Sequence, residues 1–164
     1  MKKPKLKIKL EKFDYLLEAA SWMGITSLWL LFIFNYKELP QIIPTHYNLK
    51  GEVDNLGEKS TLIFLPIVAS IIFIGLSIVS RFPHLMNYPT TITIENVRAQ
   101  YQISTRLLRI LKISIVIIFS LILYSTILHA NKNSHDLGKW FLPSVLILIF
   151  VPIFYYLIKA SKDK

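Results

Sequence analysis

The sequence predicts an all-α membrane protein with four transmembrane helices, an ordered outer loop between helices 1 and 2, and an amphipathic cytoplasmic helix leading into helix 3. Hydrophobic residues make up 53% of the 164-residue chain, above the share of about 45–50% that is typical of soluble domains. This surplus lies in four blocks, each close to the ~20 residues that cross a bilayer as a helix: 19–36, 61–80, 110–129 and 140–158. The first, second and fourth blocks contain no charged residue or histidine, so they lack the polar stripe of a water-facing helix.

The distribution of positive charge predicts the orientation of these spans. Most of the 19 Lys and Arg residues lie before the first block, between the second and third, or after the fourth. The positive-inside rule then places both termini in the cytoplasm of a multi-pass protein of the bacterial inner membrane. The net charge of +9 is therefore a topology signal. Nucleic acid is not expected as a partner, because no aromatic-interleaved basic module accompanies the charge. The expected partner is the lipid bilayer.

The four spans and their connections are predicted to form one membrane domain, residues 19–158. An interfacial helix starting near Leu10 is expected to lead from the basic N-terminus into span one. Pro66 either kinks span two or begins its first regular turn, and Pro152 should kink span four. From Glu95 the cytoplasmic loop is expected to become helical, anchored at the membrane surface by its arginines, and to continue into span three. The flanking segments are the N-terminus 1–18, the outer loop 37–60, the cytoplasmic loop 81–109 and the tail 159–164.

The outer loop carries turn chemistry that predicts a compact structure. Prolines 40 and 44 restrict the residues before them to extended conformations, so the chain should leave span one as a stiff segment. Gly51 allows a sharp reversal. The segment 54–57, with Asp first and Gly fourth, has the preferred pattern of a type I turn.

The pattern PxxIPTHYNxxGxVDxxGxK, followed by a span that contains Leu-Pro, resembles the first-loop motif of a bacterial integral membrane domain of unknown function 1648. This family is shared with the immunity proteins of the sporulation-delaying toxin system, which carry further spans. Residues 87–112 also resemble that family's second loop. The resemblance implies a multi-span inner-membrane protein, with toxin immunity or signalling as the role of some members. Its motif positions, the expected partner-binding residues, are Pro44, His46, Asn48, Gly51, Asp54, Gly57 and Lys59.

His46 is the loop residue suited to proton transfer near neutral pH, and Glu52, Asp54 and Glu58 offer oxygen ligands. His135 and Asp136 lie on the same side of the membrane. The structural alternative is that His46 donates to a backbone carbonyl, Asp54 caps its own turn and Lys59 neutralises a carboxylate. No hydrolase, phosphate-binding or metal-ligand motif is present, and no cysteine, so no cofactor or metal is predicted.

Two functions from different classes remain open at the level of sequence. One is a binding, sensing or immunity-like module whose outer loop contacts a membrane or extracytoplasmic peptide or protein partner. The other is a membrane-embedded enzyme or metal-binding protein that uses His46 with Asp54 or Glu52. A transporter is disfavoured, because the spans contain almost no ionisable groups.

Overall fold

The computed structural model describes residues 3–130 and 136–162, which form four long helices and a small two-stranded sheet. The helices are α1 (Lys12–Tyr36), α2 (Phe64–Val79), α3 (Val97–Ala130) and α4 (Phe141–Lys162), and the strands are β1 (Ile42–Tyr47) and β2 (Val53–Glu58). A 3-10 helix, Lys59–Ile63, joins β2 to α2, and a second one, Pro83–Leu85, follows α2. Within the described residues, all four long helices are long and apolar enough to cross a membrane, if α2 is counted together with the 3-10 helix that precedes it. The chain is therefore a multi-pass membrane protein.

The antiparallel sheet between α1 and α2 was not part of the all-α prediction. Prolines keep β1 extended, and pairing with β2 then satisfies the backbone groups of both strands. The register runs from Ile42 opposite Glu58 to Tyr47 opposite Val53, with irregularities on either side of His46. The expected type I turn at residues 54–57 is wrong, because these residues lie inside β2. We call residues 42–58 the hairpin, and the side of the membrane that carries it the hairpin side.

Helix α1 and span two begin at residues other than those that the sequence suggested, Leu10 and Thr61. The interfacial helix and span one form one helix, α1, which begins at Lys12 and runs for 25 residues. Span two begins as a 3-10 helix at Lys59, and Pro66 is the third residue of α2, where its missing N–H costs no helical hydrogen bond. Pro152 lies inside α4. The first residues of α1 and α3 lie together on the opposite side from the hairpin, which we call the terminal side.

Helix α3 is the central element, since it packs against α1, α2, α4 and β1. The buried core lies between α1, α2, α3 and the hairpin and consists of apolar side chains: Ile25, Leu28, Phe32, Leu39, Ile43, Leu62, Ala69, Phe73, Val116, Leu123 and Ile127. Polar contacts supplement this packing, as Trp29 donates to Ser70 across α1 and α2 at 3.0 Å. Helix α4 is attached mainly to α3 and buries only Tyr156 and Ala160. Its remaining surface is available to lipid.

Candidate functional site

Asn48 and Gly51 form the turn of the hairpin. The side-chain oxygen of Asn48 accepts hydrogen bonds from the backbone N–H groups of Lys50 at 2.8 Å and Glu52 at 3.1 Å. Its amide nitrogen donates to the carboxylate of Glu52 at 2.9 Å. Gly51 has a φ of +81°, a left-handed conformation that glycine adopts without a steric penalty. The predicted chain reversal at Gly51 is present. The Asn48 side chain stabilises it by accepting hydrogen bonds from backbone N–H groups of the turn.

The turn packs against the segment that precedes α4. The backbone N–H of Leu137 donates to the Gly51 carbonyl oxygen at 2.9 Å. A Cβ atom placed on Gly51 would lie 2.6 Å from the carbonyl oxygen of Gly138, which is closer than real Cβ contacts come. Gly51 is therefore required twice, for its backbone conformation and for this close approach. The contact joins the hairpin turn and residues 137–138 into one surface.

Strand β1 attaches the hairpin to the helices beneath it. Ile43 and Pro44 are buried, Ile43 within the core. The Tyr47 hydroxyl is hydrogen-bonded to the Thr126 hydroxyl of α3 at 3.0 Å. Burial raises the pKa of Tyr47 above its ordinary value, partly offset by the bond to Thr126, so this phenol stays protonated. Gly57 provides room for the neighbouring strand, because a Cβ there would lie 2.8 Å from the Thr45 methyl group.

His46 and Asp54 form a close pair on the exposed face of the hairpin. The His46 Nδ1 and Asp54 Oδ1 atoms are 2.5 Å apart, with side chains 66% and 40% exposed. The register places an extra residue on each strand beside His46, and such bulges turn side chains toward one another. His46 therefore contacts a carboxylate and not the backbone carbonyl that the structural alternative expected. Asp54 likewise contacts His46 and does not cap a turn of its own.

Lys59 caps the end of α1 instead of neutralising a carboxylate. Its Nζ donates to the carbonyl oxygens of Leu39 at 2.9 Å and Tyr36 at 3.5 Å, and lies 5.2 Å from the centre of the Tyr36 ring. The last carbonyls of a helix have no helical partners and carry partial negative charge, so a cation there is favourable. Lys59 thus connects the end of β2 to the end of α1.

The other acidic and histidine residues of the hairpin side are more dispersed. Glu52 binds Asn48, and Glu58 accepts a hydrogen bond from Ser60 at 3.1 Å. His129 Nδ1 and Asp136 Oδ1 are 3.9 Å apart. His135 lies outside the described residues. Over residues 3–130 and 136–162 no group of three His, Cys, Asp or Glu side chains has the arrangement of a metal site.

A cavity of about 460 Å³ lies between the hairpin and the helices. Its apolar wall includes Ile43, Leu65 and Ile122, and its polar groups include His46 and Tyr47. Ligand pockets of this kind combine a mostly apolar lining with a few placed polar groups. The motif residues and this cavity therefore form the candidate site.

A second charged cluster, on the terminal side, was not predicted from the sequence. Three acidic residues, the N-cap residue Glu11 and the α1 residues Asp14 and Glu18, meet three basic residues of α3, and we call these six residues the ion-pair network. Its contacts are Glu11–Arg106 at 2.6 Å, Asp14–Arg106 at 2.8 Å, Glu18–Arg109 at 3.0 Å and Glu18–Lys112 at 2.7 Å. The side chains of Asp14, Arg109 and Lys112 are almost fully buried.

The sequence did contain a signal for this network. The acids recur at intervals of three and four residues on α1, and the bases recur every three residues on α3, so each set follows one helix face. Helices α1 and α3 are parallel, which brings the two series into register. The arginines were expected to anchor α3 to lipid, whereas Arg106 and Arg109 bind carboxylates within the protein. Hydrogen bonds from Gln102 and Arg106 lower the pKa of Glu11, which keeps it ionised.

Together, the apolar helices and the folded hairpin define a small multi-pass membrane protein with a polar cap on one side. Residues 23–69, which cover most of α1, the hairpin and the start of α2, match the family model described as "Domain of unknown function (DUF1648)". This match supports the resemblance that the outer-loop motif predicted.

The comparisons extend the similarity beyond this domain. The chain is 27% identical over 155 residues to an "Uncharacterized protein" of Archaeoglobus fulgidus, an alignment that covers 85% of this chain and 82% of that protein. No solved structure matches.

Proposed function

We propose that the protein is a membrane binding module whose hairpin side receives an apolar segment of an extracytoplasmic peptide or protein. The cavity beneath the hairpin carries this proposal. Its volume of about 460 Å³ accommodates one or two large apolar side chains, and its lining comes from β1, α2, α3 and the start of α4. His46 and Thr45 line it beside the apolar groups and offer hydrogen bonds that would orient a peptide backbone.

Exposed apolar residues on the hairpin extend this surface. Leu49 is 81% exposed at the turn, and Leu56 and Ile42 are more than half exposed on the strands. Their burial against a partner would contribute roughly 25 cal/mol per Å² of apolar surface. The hairpin is therefore both a lid over the cavity and a contact surface.

The hairpin is held in place before any partner arrives. Tyr47 ties it to α3, Lys59 ties it to α1, and Gly51 ties it to the segment before α4. A preformed surface loses little conformational entropy on binding, so more of the contact energy appears as affinity. The seven motif residues act mainly by maintaining this geometry, apart from His46 and Asp54, whose side chains are exposed.

The orientation proposed with this function places the hairpin outside the cytoplasm and both termini inside. It is supported by the excess of Lys and Arg on the terminal side. With this orientation a peptide from outside the cell reaches the cavity without crossing the bilayer. A bacterial inner membrane is the expected location.

The test is photo-crosslinking in living cells from a benzoylphenylalanine at Leu49. We expect covalent adducts with a defined peptide or protein, identified by mass spectrometry. Ile122→Trp, which fills the cavity, should remove them. Ile117→Trp, on the lipid-exposed surface of the same helix and outside the cavity, should leave them intact. Adducts with lipid alone, or equal loss in both variants, would contradict the proposal.

The enzyme alternative is favoured by one observation, the His46–Asp54 contact of 2.5 Å. A carboxylate on Nδ1 orients the imidazole ring, which leaves Nε2 free to act as a general base or a ligand. His46→Gln separates the two functions. In a binding module it should retain most crosslinking, whereas in an enzyme it should abolish turnover of ester and peptide test substrates while the melting temperature stays unchanged.

An immunity-like role is a narrower form of the binding function and comes from the motif resemblance. The toxin peptide would then be the apolar partner of the cavity. We expect expression of the protein to increase survival of sensitive cells exposed to that toxin, and Ile122→Trp to remove this protection. Survival that is the same with and without the protein would exclude the immunity role and leave the binding function to the crosslinking test.

A further inference from the structure

A second cavity, of about 510 Å³, lies on the terminal side between the N-terminal segment, α1, α2 and α3. Its polar lining includes Lys7, Arg81, Glu18 and Arg109, and its apolar lining includes Ile8 and Trp22, among others. The cavity therefore combines positive charge with an apolar wall at the terminal end of the spans.

The charges that face this cavity do not cancel. Glu18 is already neutralised, because its two carboxylate oxygens bind Arg109 and Lys112 at 3.0 and 2.7 Å. In the portion of the chain that the structure describes, neither Lys7 nor Arg81 forms an ion pair. The ion-pair network balances three acids with three bases, so Lys7 and Arg81 leave a positive surplus beside it.

Residues 3–11, which we call the arm, cover the cavity. The Tyr101 hydroxyl donates to the Pro4 carbonyl oxygen at 2.9 Å, and Lys3 donates to the Met86 carbonyl oxygen. These contacts hold the arm across the loop that follows α2. Trp22, on the opposite wall, is 58% exposed and lies on the surface that faces lipid.

We propose that this cavity binds the headgroup of an anionic phospholipid, with the phosphate near Lys7 and Arg81 and an acyl chain along Trp22 and Ile8. Basic pockets between transmembrane helices on the cytoplasmic side are suited to anionic headgroups, and each nearby cation contributes attraction to them. A free phosphate shares the same charge but gains nothing from the apolar wall. The site lies on the opposite side of the membrane from the hairpin and does not depend on the function proposed for it.

The experiment measures thermal unfolding of the full chain in detergent with added lipid. We expect phosphatidylglycerol to raise the melting temperature at concentrations at which phosphatidylcholine and inorganic phosphate do not. The double variant K7Q/R81Q should weaken the apparent affinity for phosphatidylglycerol by about tenfold. Its control, K5Q/K9Q, also removes two positive charges, but from residues of the arm that do not line the cavity. It should change the affinity by no more than about twofold.

Three outcomes would overturn the proposal. Equal weakening in both double variants would show diffuse attraction to the basic arm, and equal effects of the two lipids would show no headgroup site. Stabilisation by inorganic phosphate alone that matches phosphatidylglycerol would identify a free-anion site. Should K7Q/R81Q fail to fold, the single variants Lys7→Gln and Lys5→Gln provide the same comparison, because Lys7 lies on the exposed arm.

Discussion

At the scale of single residues, the motif positions act mainly through backbone geometry and hydrogen bonds. Asn48 satisfies two backbone donors of the turn, and Lys59 satisfies carbonyls at the end of α1. His46 and Asp54 differ from these, because they bind each other on an exposed face. Most polar residues of the motif therefore stabilise the hairpin, and His46 and Asp54 form its one exposed pair.

Replacing Gly51 with alanine should destabilise the protein by roughly 1–3 kcal/mol, because the left-handed backbone is strained for alanine and the new Cβ would meet the Gly138 backbone. The measurement is thermal unfolding in detergent. Gly75→Ala is the matched control, since Gly75 lies in α2 with nothing within 4 Å of its added Cβ. It should be neutral or slightly stabilising. A Gly51→Ala protein as stable as wild type would contradict the close packing of the two connections.

Replacing Lys59 with methionine should cost about 1.5–3 kcal/mol, the usual value of hydrogen bonds to a charged group. It leaves the carbonyl oxygens of Tyr36 and Leu39 without this donor. Faster amide exchange at the end of α1 and in the hairpin should accompany the loss. Lys50→Met, at an exposed side chain of the turn, should change neither quantity. Equal exchange in the two variants would refute the capping role.

At the scale of elements, the association of α1 with α3 depends on charge as well as on apolar packing. Apolar contacts alone are weak in a bilayer, since lipid is as apolar as the helix surface, and polar contacts add specificity. Gly24 allows close approach, because a Cβ there would lie 2.8 Å from Val116. The ion-pair network then selects the parallel register of the two helices.

We expect Asp14→Asn to destabilise the protein by about 3–5 kcal/mol, because it removes one partner of buried charges and leaves Arg106 and Arg109 partly uncompensated. Adding Arg106→Gln should recover part of this loss, and the double-mutant cycle measures the coupling. The comparison variant is Asp54→Asn, whose carboxylate is exposed on the hairpin. Additive effects of the Asp14 and Arg106 substitutions would exclude a coupled network.

At the scale of the whole molecule, the described residues form two polar ends joined by α1 and α3. The hairpin with its cavity lies at one end, and the ion-pair network with the basic cavity lies at the other. Helix α3 packs against α1, α2, α4 and β1, so it connects the hairpin to the terminal side. Helix α4, attached mainly to α3, is the least buried of the four described spans.

The orientation is tested by cysteine labelling, since the native chain has no cysteine. Leu49→Cys, at the exposed turn of the hairpin, should react with an impermeant maleimide in intact cells. Leu85→Cys, which is 73% exposed on the terminal side, should react only after lysis. The reverse pattern would invert the proposed topology and place the hairpin in the cytoplasm.

The sequence by itself determined the four apolar helices, the polar insert between the first two and the motif that resembles the matched family. These are local properties, because span length and hydropathy are counted along the chain and prolines restrict their neighbours directly. Only the tertiary structure decided the partners: Asp54 for His46, the end of α1 for Lys59, and the acids of α1 for the bases of α3. Each charged group had several possible partners in sequence, and strand register and helix packing brought one within bonding distance.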